Sequence, residues 1–214
     1  AEVVVMATAK RKRPWEEEGF QCPYLPTVNR MALDFDFEKA CSVTGHKHNV
    51  YACLVCGKFF QGRGKHTQAY THALQDGHHV FMNLGDGRVY CLPDGYEVEE
   101  NSLRDIQRML DPRFTKEMTS TLDTTPVFAR GVDGSDYMPG LIGLNNIKST
   151  DFVNVVVQSL ARIPPIRDFF LHPENYAQVK SALVSEFGAL LRKVWSPFNF
   201  KGQVSPHELL QAVQ

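Results

Sequence analysis

The chain has 214 residues, 43% of them hydrophobic and 22% charged, with a net charge of −1 and a pI of about 6.8. That balance suits one or two folded domains and argues against a dedicated nucleic-acid binder, which carries a clear basic excess. No apolar run approaches a membrane span, and five cysteines, an odd number with two in a CxxC, favour a metal in a reducing compartment over a disulfide framework.

Residues 1–20 read as a disordered tail. Its apolar stretch, Ala1 to Ala9, precedes the basic cluster Lys10-Arg11-Lys12-Arg13, the reverse of the order in a secretory signal. The cluster reads equally well as a nuclear-import or nucleic-acid contact and as a solvated tail. The chain begins with Ala rather than Met and stops inside a helical pattern, so it is expected to be part of a longer protein.

Residues 21–98 are dense in aromatics, Cys and His. Cys22-Pro23-Tyr24 and Leu33-Asp34-Phe35-Asp36-Phe37 alternate like short strands, and Asn49 to Cys53 reads as another. Gly57, Gly62 and Gly64 mark a loop, and Thr67 to Asp76 a helix stopped by Gly77. Val80 to Leu84 and Arg88 to Leu92 flank Gly85-Asp86-Gly87 as a hairpin.

Within this stretch Cys53 and Cys56 are two residues apart, and His72 and His78 follow with five residues between them. Two thiolates on a tight knuckle and two imidazoles at that spacing close a tetrahedral Zn²⁺ shell. One structural Zn²⁺ is expected, held by Cys53, Cys56, His72 and His78, because so small a module has little core of its own. His79 is the competing fourth ligand and His66 a weaker one. Cys22, Cys41 and Cys91 read as core thiols, and the His46 to His48 loop beside Cys41 as a solvated loop.

Residues 99–140 read as helices and a linker. Asn101 or Ser102 caps a helix to about Leu110, Asp111-Pro112 ends it, a short helix covers Thr115 to Leu122, and Thr124 to Gly140 is extended. Residues 141–214 turn helical, with helices over Thr150 to Leu160, Tyr176 to Trp195, and from Pro206 onward. In the first of these Phe152, Val155, Val156 and Leu160 are expected to face a core. Asp151 at its start is a good capping group in the favourable field of the helix dipole.

The run Gly143 to Leu160 resembles the nucleophile box of the ubiquitin-specific proteases, with Gly143, Leu144, Asn146, Thr150, Asn154 and Gln158 in register. Asp151 stands at the nucleophile position, Lys148 at the box glycine, and Asn146 at the position whose side chain stabilises the oxyanion. A carboxylate is a very poor substitute for a thiolate in isopeptide cleavage.

Together with Asp34 to Lys39, Tyr51 to Lys58, Gln61 to Gly64, Tyr90 to Asp94 and Val204 to Glu208, the chain resembles the ubiquitin-specific-protease-like splicing factors of the spliceosomal tri-snRNP. The resemblance implies an α+β protein: a small zinc-stabilised UBP-type finger, then the helical start of a papain-like ubiquitin-hydrolase domain that is catalytically inactive. It implies a nuclear scaffold for pre-mRNA splicing that binds tri-snRNP proteins, with snRNA nearby and no membrane. It also places Arg63, Tyr90 and Tyr96 near the pocket with which related fingers hold the ubiquitin tail, Tyr90 standing where ubiquitin-binding members commonly carry Trp. A ubiquitin reader is therefore the alternative function, and an active deubiquitinase the remote one.

Overall fold

The computed structural model describes residues 13–16, 20–125 and 127–213; residues 1–12 and 17–19 of the predicted tail, with Lys10, Arg11 and Lys12 of the basic cluster, lie outside them. The first half is built on a five-stranded antiparallel sheet. Its strands are β1 (Val50–Cys53), β2 (Phe59–Gln61), β3 (Val80–Asn83), β4 (Val89–Cys91) and β5 (Tyr96–Glu97), in the order β2-β1-β3-β4-β5. Helix α1 (Gln68–Asp76) connects β2 to β3.

The sheet is covered on both faces, which is why its strands read as unbroken apolar runs rather than alternating ones. Val50, Ala52, Val80, Met82, Val89 and Cys91 point to one face, where Leu33, Phe35 and Ile106, Met109 and Leu110 of α2 (Arg104–Leu110) pack on them. Tyr51, Cys53, Phe60, Phe81 and Tyr90 point to the other, under Ala69 and Ala73 of α1. The helix predicted after Asn101 thus completes the core of the first half. It begins as a 3-10 turn, Asn101–Leu103, with no side-chain cap. Helix α3 (Lys116–Thr121) is capped by Thr115, whose hydroxyl accepts from Met118 N at 3.2 Å.

The extended segment predicted over Thr124 to Gly140 contains a small hairpin, β6 (Ala129–Arg130) and β7 (Asp136–Tyr137), tied by the Arg130–Asp136 ion pair. Beyond it come β8 (Gly143–Leu144), α4 (Asp151–Ala161), α5 (Pro164–Leu171), α6 (Ala182–Trp195), β9 (Gln203–Val204) and α7 (His207–Val213). Strands β8 and β9 pair in parallel. Tyr137, Ile142, Val157, Leu190, Val194, Val204 and Leu209 form the second core. Pro164 and Pro165 open α5 at its first turn, where a missing N–H costs nothing.

Three expectations are corrected. Cys22 to Tyr24 forms a turn, and Leu33 to Phe37 is no strand: Leu33 and Phe35 are buried as its alternation suggests, but Asp34 and Asp36 bond to distant lysines rather than to a neighbouring strand. The long helix predicted from Tyr176 starts only at Ala182. On α4, Phe152, Val155 and Val156 are 68%, 66% and 55% exposed. The buried stripe is Val153, Val157 and Ala161 instead. Helical rotation is set by Asn154, which donates to the Asn145 carbonyl at 3.1 Å, and by Gln158, which donates to the Ile142 carbonyl at 2.8 Å. Turning the apolar residues inward would tear both amides from β8 and its flanks.

The halves are fused. Phe200, from the second half, is buried in the first core. Lys193 on α6 donates to the Phe35 carbonyl at 2.9 Å and to Asp36 at 3.0 Å. Asp36 also accepts from Ser205 N at 2.8 Å, and Lys201 reaches Asp34 at 2.9 Å.

Candidate functional site

The knuckle between β1 and β2 carries both cysteines. Gly57 N donates to the Cys53 carbonyl at 2.9 Å and Cys53 N to the Lys58 carbonyl at 2.9 Å. Gly57 has φ +76° and sits so close to the Ala32 carbonyl that a Cβ would lie 2.0 Å from its oxygen, so no other residue fits. Gly77, left-handed at φ +67°, ends α1 and turns His78 back toward His72.

The four ligand atoms converge. Cys56 Sγ is 3.4 Å from His72 Nε2, Cys53 Sγ 3.6 Å from His78 Nδ1, and the two ring nitrogens are 3.0 Å apart. All four atoms lie within 4.8 Å of one another. A tetrahedral Zn²⁺ with metal–ligand bonds of about 2.0–2.3 Å needs ligand–ligand separations of roughly 3.3–3.8 Å; the two Cys–His separations fall in that range and the His–His one is a few tenths of an ångström short, so small side-chain shifts would seat the ion. Among the described residues it is the one such cluster. The Cys56 thiol is held well below its ordinary range, first by the hydrogen bond from Cys53, while the same bond and burial push Cys53 up.

Sequence reasoning missed the support behind the ligands. Asp76 takes the second ring nitrogen of His72 at 2.7 Å, fixing its tautomer and direction. The signal was present: Asp76 lies four residues beyond His72 on one helical face. Phe60 stacks on His72 at 4.1 Å. His79 points away from the cluster, bonded to the Leu92 carbonyl at 2.7 Å and against the Tyr24 ring. His46 and His48 are exposed, Cys41 is buried, and none of the three joins the cluster.

The residues proposed for a tail pocket divide. The Arg63 guanidinium covers the Tyr90 ring at 4.3 Å, and Tyr51 meets Tyr90 edge-on at 6.1 Å. Tyr96 is not with them. It pairs with Cys91, and adjacent strand residues face opposite sides, so its ring lies across the sheet from Tyr90, bonded to Cys22 and stacked on Trp15.

In the enzyme-like box, Asp151 is the first residue of α4 and is exposed. It does not cap the helix. The N-cap is Thr150, which makes no side-chain capping bond; its hydroxyl instead donates to the Ile147 carbonyl at 2.7 Å. Asp151 therefore contributes only its charge to the first turn. Lys148 and Ser149, before it, both adopt left-handed backbone at φ +52° and +62°. Two successive non-glycine residues there store strain of the kind found at functional turns. Asn146 is exposed in the loop ahead of them. Asn154 and Gln158 are structural, clamping α4 to the β8 region.

Residues 41–103 match the family described as Zn-finger in ubiquitin-hydrolases and other protein, and residues 142–214 match Ubiquitin carboxyl-terminal hydrolase. The chain thus joins a ubiquitin-hydrolase-type zinc finger to a ubiquitin carboxyl-terminal hydrolase segment, in an α+β fold. It is a homologue of the ubiquitin-specific-protease-like splicing factors. It is 52% identical over 199 residues to human ubiquitin carboxyl-terminal hydrolase 39, covering 90% of this chain and 35% of that protein. It is 32% identical over 185 residues to the pre-mRNA-splicing factor SAD1 of Saccharomyces cerevisiae, covering 85% and 40%. The crystal structure of an essential yeast splicing factor superposes with a TM-score of 0.80 at 31% identity, covering 89% of this chain and 48% of that one. The chain therefore spans about a third of the human relative's length.

Proposed function

We propose that this chain belongs to a non-catalytic scaffold of the spliceosomal tri-snRNP, nuclear and required for pre-mRNA splicing, whose two halves bind protein partners with snRNA nearby. The observation that carries the reading is Asp151, a carboxylate at the helix start where the resembling proteases hold their thiol. The splicing-factor names of the relatives support the setting. One Zn²⁺ held by Cys53, Cys56, His72 and His78 fixes the finger. The ion supplies cross-linking and no chemistry, since four protein ligands leave no open position.

Splicing extract depleted of the endogenous protein tests this. Full-length protein carrying Asp151→Ala restores splicing as well as the unaltered protein does; failure of that variant, folded and tri-snRNP-associated, sinks the non-catalytic reading.

The Arg63–Tyr90 stack favours one second reading, a ubiquitin reader. A guanidinium beside an aromatic wall suits a free carboxylate tail. Calorimetry with intact ubiquitin and with ubiquitin lacking its last two glycines separates the readings. Heat with the first and none with the second establishes a tail reader; no heat with either removes it.

A further inference from the structure

A second pair of thiols lies across the sheet from the metal ligands. Cys91 on β4 is wholly buried, and Cys22, on the segment ahead of the sheet, is 5% exposed. The two side chains lie in the same buried cluster, close enough for each thiol to perturb the other. The Tyr96 hydroxyl donates to Cys22 Sγ at 3.2 Å, and Tyr96 is the cross-strand partner of Cys91. The zinc ligands use neither thiol, and the packing alone would be served by Ala or Val.

The segment bearing Cys22 makes few backbone bonds to the sheet. Its backbone bonds close its own turns, Leu25 N to the Cys22 carbonyl and Thr27 N to the Tyr24 carbonyl. Among the described residues, the first backbone bond from it to the sheet region is Asn29 N to the Leu54 carbonyl. Side chains anchor it as well: Tyr24, Leu25 and Val28 pack against the core, Tyr24 lies on His79 at 4.0 Å, and Phe20 meets Tyr96 at 5.3 Å. A reagent reaches a thiol that is buried on average through local opening of such a segment, and the site below requires that opening.

We propose that Cys22 and Cys91 form a redox-responsive dithiol site that closes to an intramolecular disulfide in the presence of a small-molecule disulfide, pinning the N-terminal segment to β4. The Cys22 thiolate attacks the small disulfide, one sulfur bonding to Cys22 while the other leaves as thiolate. Cys91 gives up its proton to solvent or to that leaving thiolate, attacks the Cys22 sulfur and expels the second small thiolate. Two protein thiols are oxidised by two electrons and one small disulfide is reduced to two thiols. The order follows from the environment: Cys22 is held below the ordinary thiol range, first by the bond from Cys91, and Cys91 is pushed above it.

The test uses the zinc-loaded chain, equilibrated over a series of oxidised-to-reduced glutathione ratios, acid-quenched, alkylated and mapped by mass spectrometry. The expected product is a peptide linking Cys22 to Cys91, with two of the five thiols lost, zinc retained and both thiols recovered in reduced glutathione. Cys91→Ser is expected to stop at a glutathione adduct on Cys22. No Cys22–Cys91 peptide at any ratio overturns the proposal, as does a stable glutathione adduct on Cys22 in the unaltered chain. Oxidation confined to Cys53 and Cys56 with zinc loss overturns it too, and leaves the scaffold reading untouched.

Discussion

Lys193 of α6 and Asp36 of the first half meet at 3.0 Å, with side chains only 11% and 14% exposed. The same carboxylate accepts from Ser205 N at 2.8 Å. One acidic side chain therefore binds the finger to both a helix and a strand end of the hydrolase-like half. Asp36→Ala leaves a nearly buried ammonium with the Phe35 carbonyl as its remaining hydrogen-bond partner and the Glu208 carboxyl nearby. Breaking a buried pair in this way costs about 3–5 kcal/mol. Urea unfolding measures it, and pairing Asp36→Ala with Lys193→Met is expected to recover part of the loss.

Zinc removal follows from the same junction. From sequence, chelation is expected to unfold residues 22–96 and leave the helical part intact. The burial of Phe200 in the finger's core and the Asp36 contacts couple the two. Cys53→Ser, or chelation, is now predicted to abolish the near-UV signal of the finger and also to lower the melting temperature of the second half. Fluorescence of Trp195, in a chain with Trp15 replaced by Phe, reports the latter; an unchanged second transition would show that the halves are independent.

Gly188 sets two effects against each other. Alanine in a helix interior gains about 1 kcal/mol over glycine. Here the added Cβ lies 2.2 Å from the Tyr176 hydroxyl oxygen. That hydroxyl is held by Arg192 and by the Phe170 carbonyl, so it yields poorly. Overpacking of this kind costs about 1–3 kcal/mol. Gly188→Ala is predicted to be destabilising by about 1 kcal/mol net in thermal or urea melts, whereas equal or higher stability would mean Tyr176 moves freely.

Glu208 gives a pH dependence. Burial raises its carboxyl above the ordinary range, opposed by Lys193 and Lys39, and it lines a cavity of about 640 Å³ between the halves. Because the folded value is the higher one, its contribution is fully present below the unfolded value of about 4.3 and is lost as pH rises through the folded value. Glu208→Gln is thus predicted to be more stable than the unaltered chain at neutral pH, with the gain shrinking toward pH 4. Denaturation midpoints at several pH values decide it; a gain independent of pH would assign it to packing.

The cluster of Cys53, Cys56, His72 and His78 was legible because its spacing is that of two thiols and two imidazoles that can meet. The strands β1, β3 and β4 were legible as apolar runs. Strand β2, three residues long behind the knuckle, carried too little pattern. The alternation of Leu33 and Phe35 reported burial correctly and secondary structure wrongly, because the partners of Asp34 and Asp36 lie more than 150 residues away. The face of α4 was misread for a similar reason. Hydrophobicity favoured Phe152 and Val156, while the amide bonds of Asn154 and Gln158 to the β8 region chose the rotation. Tyr96 needed strand register, which its sequence neighbourhood does not supply.

The most direct test of the central claim is an electrophilic ubiquitin probe applied to the full-length protein containing this chain. The unaltered protein, with Asp151 proposed to stand at the nucleophile position, is predicted to give no covalent ubiquitin adduct. A stable adduct on the unaltered protein, mapped to α4 or the loop before it, would contradict the claim outright.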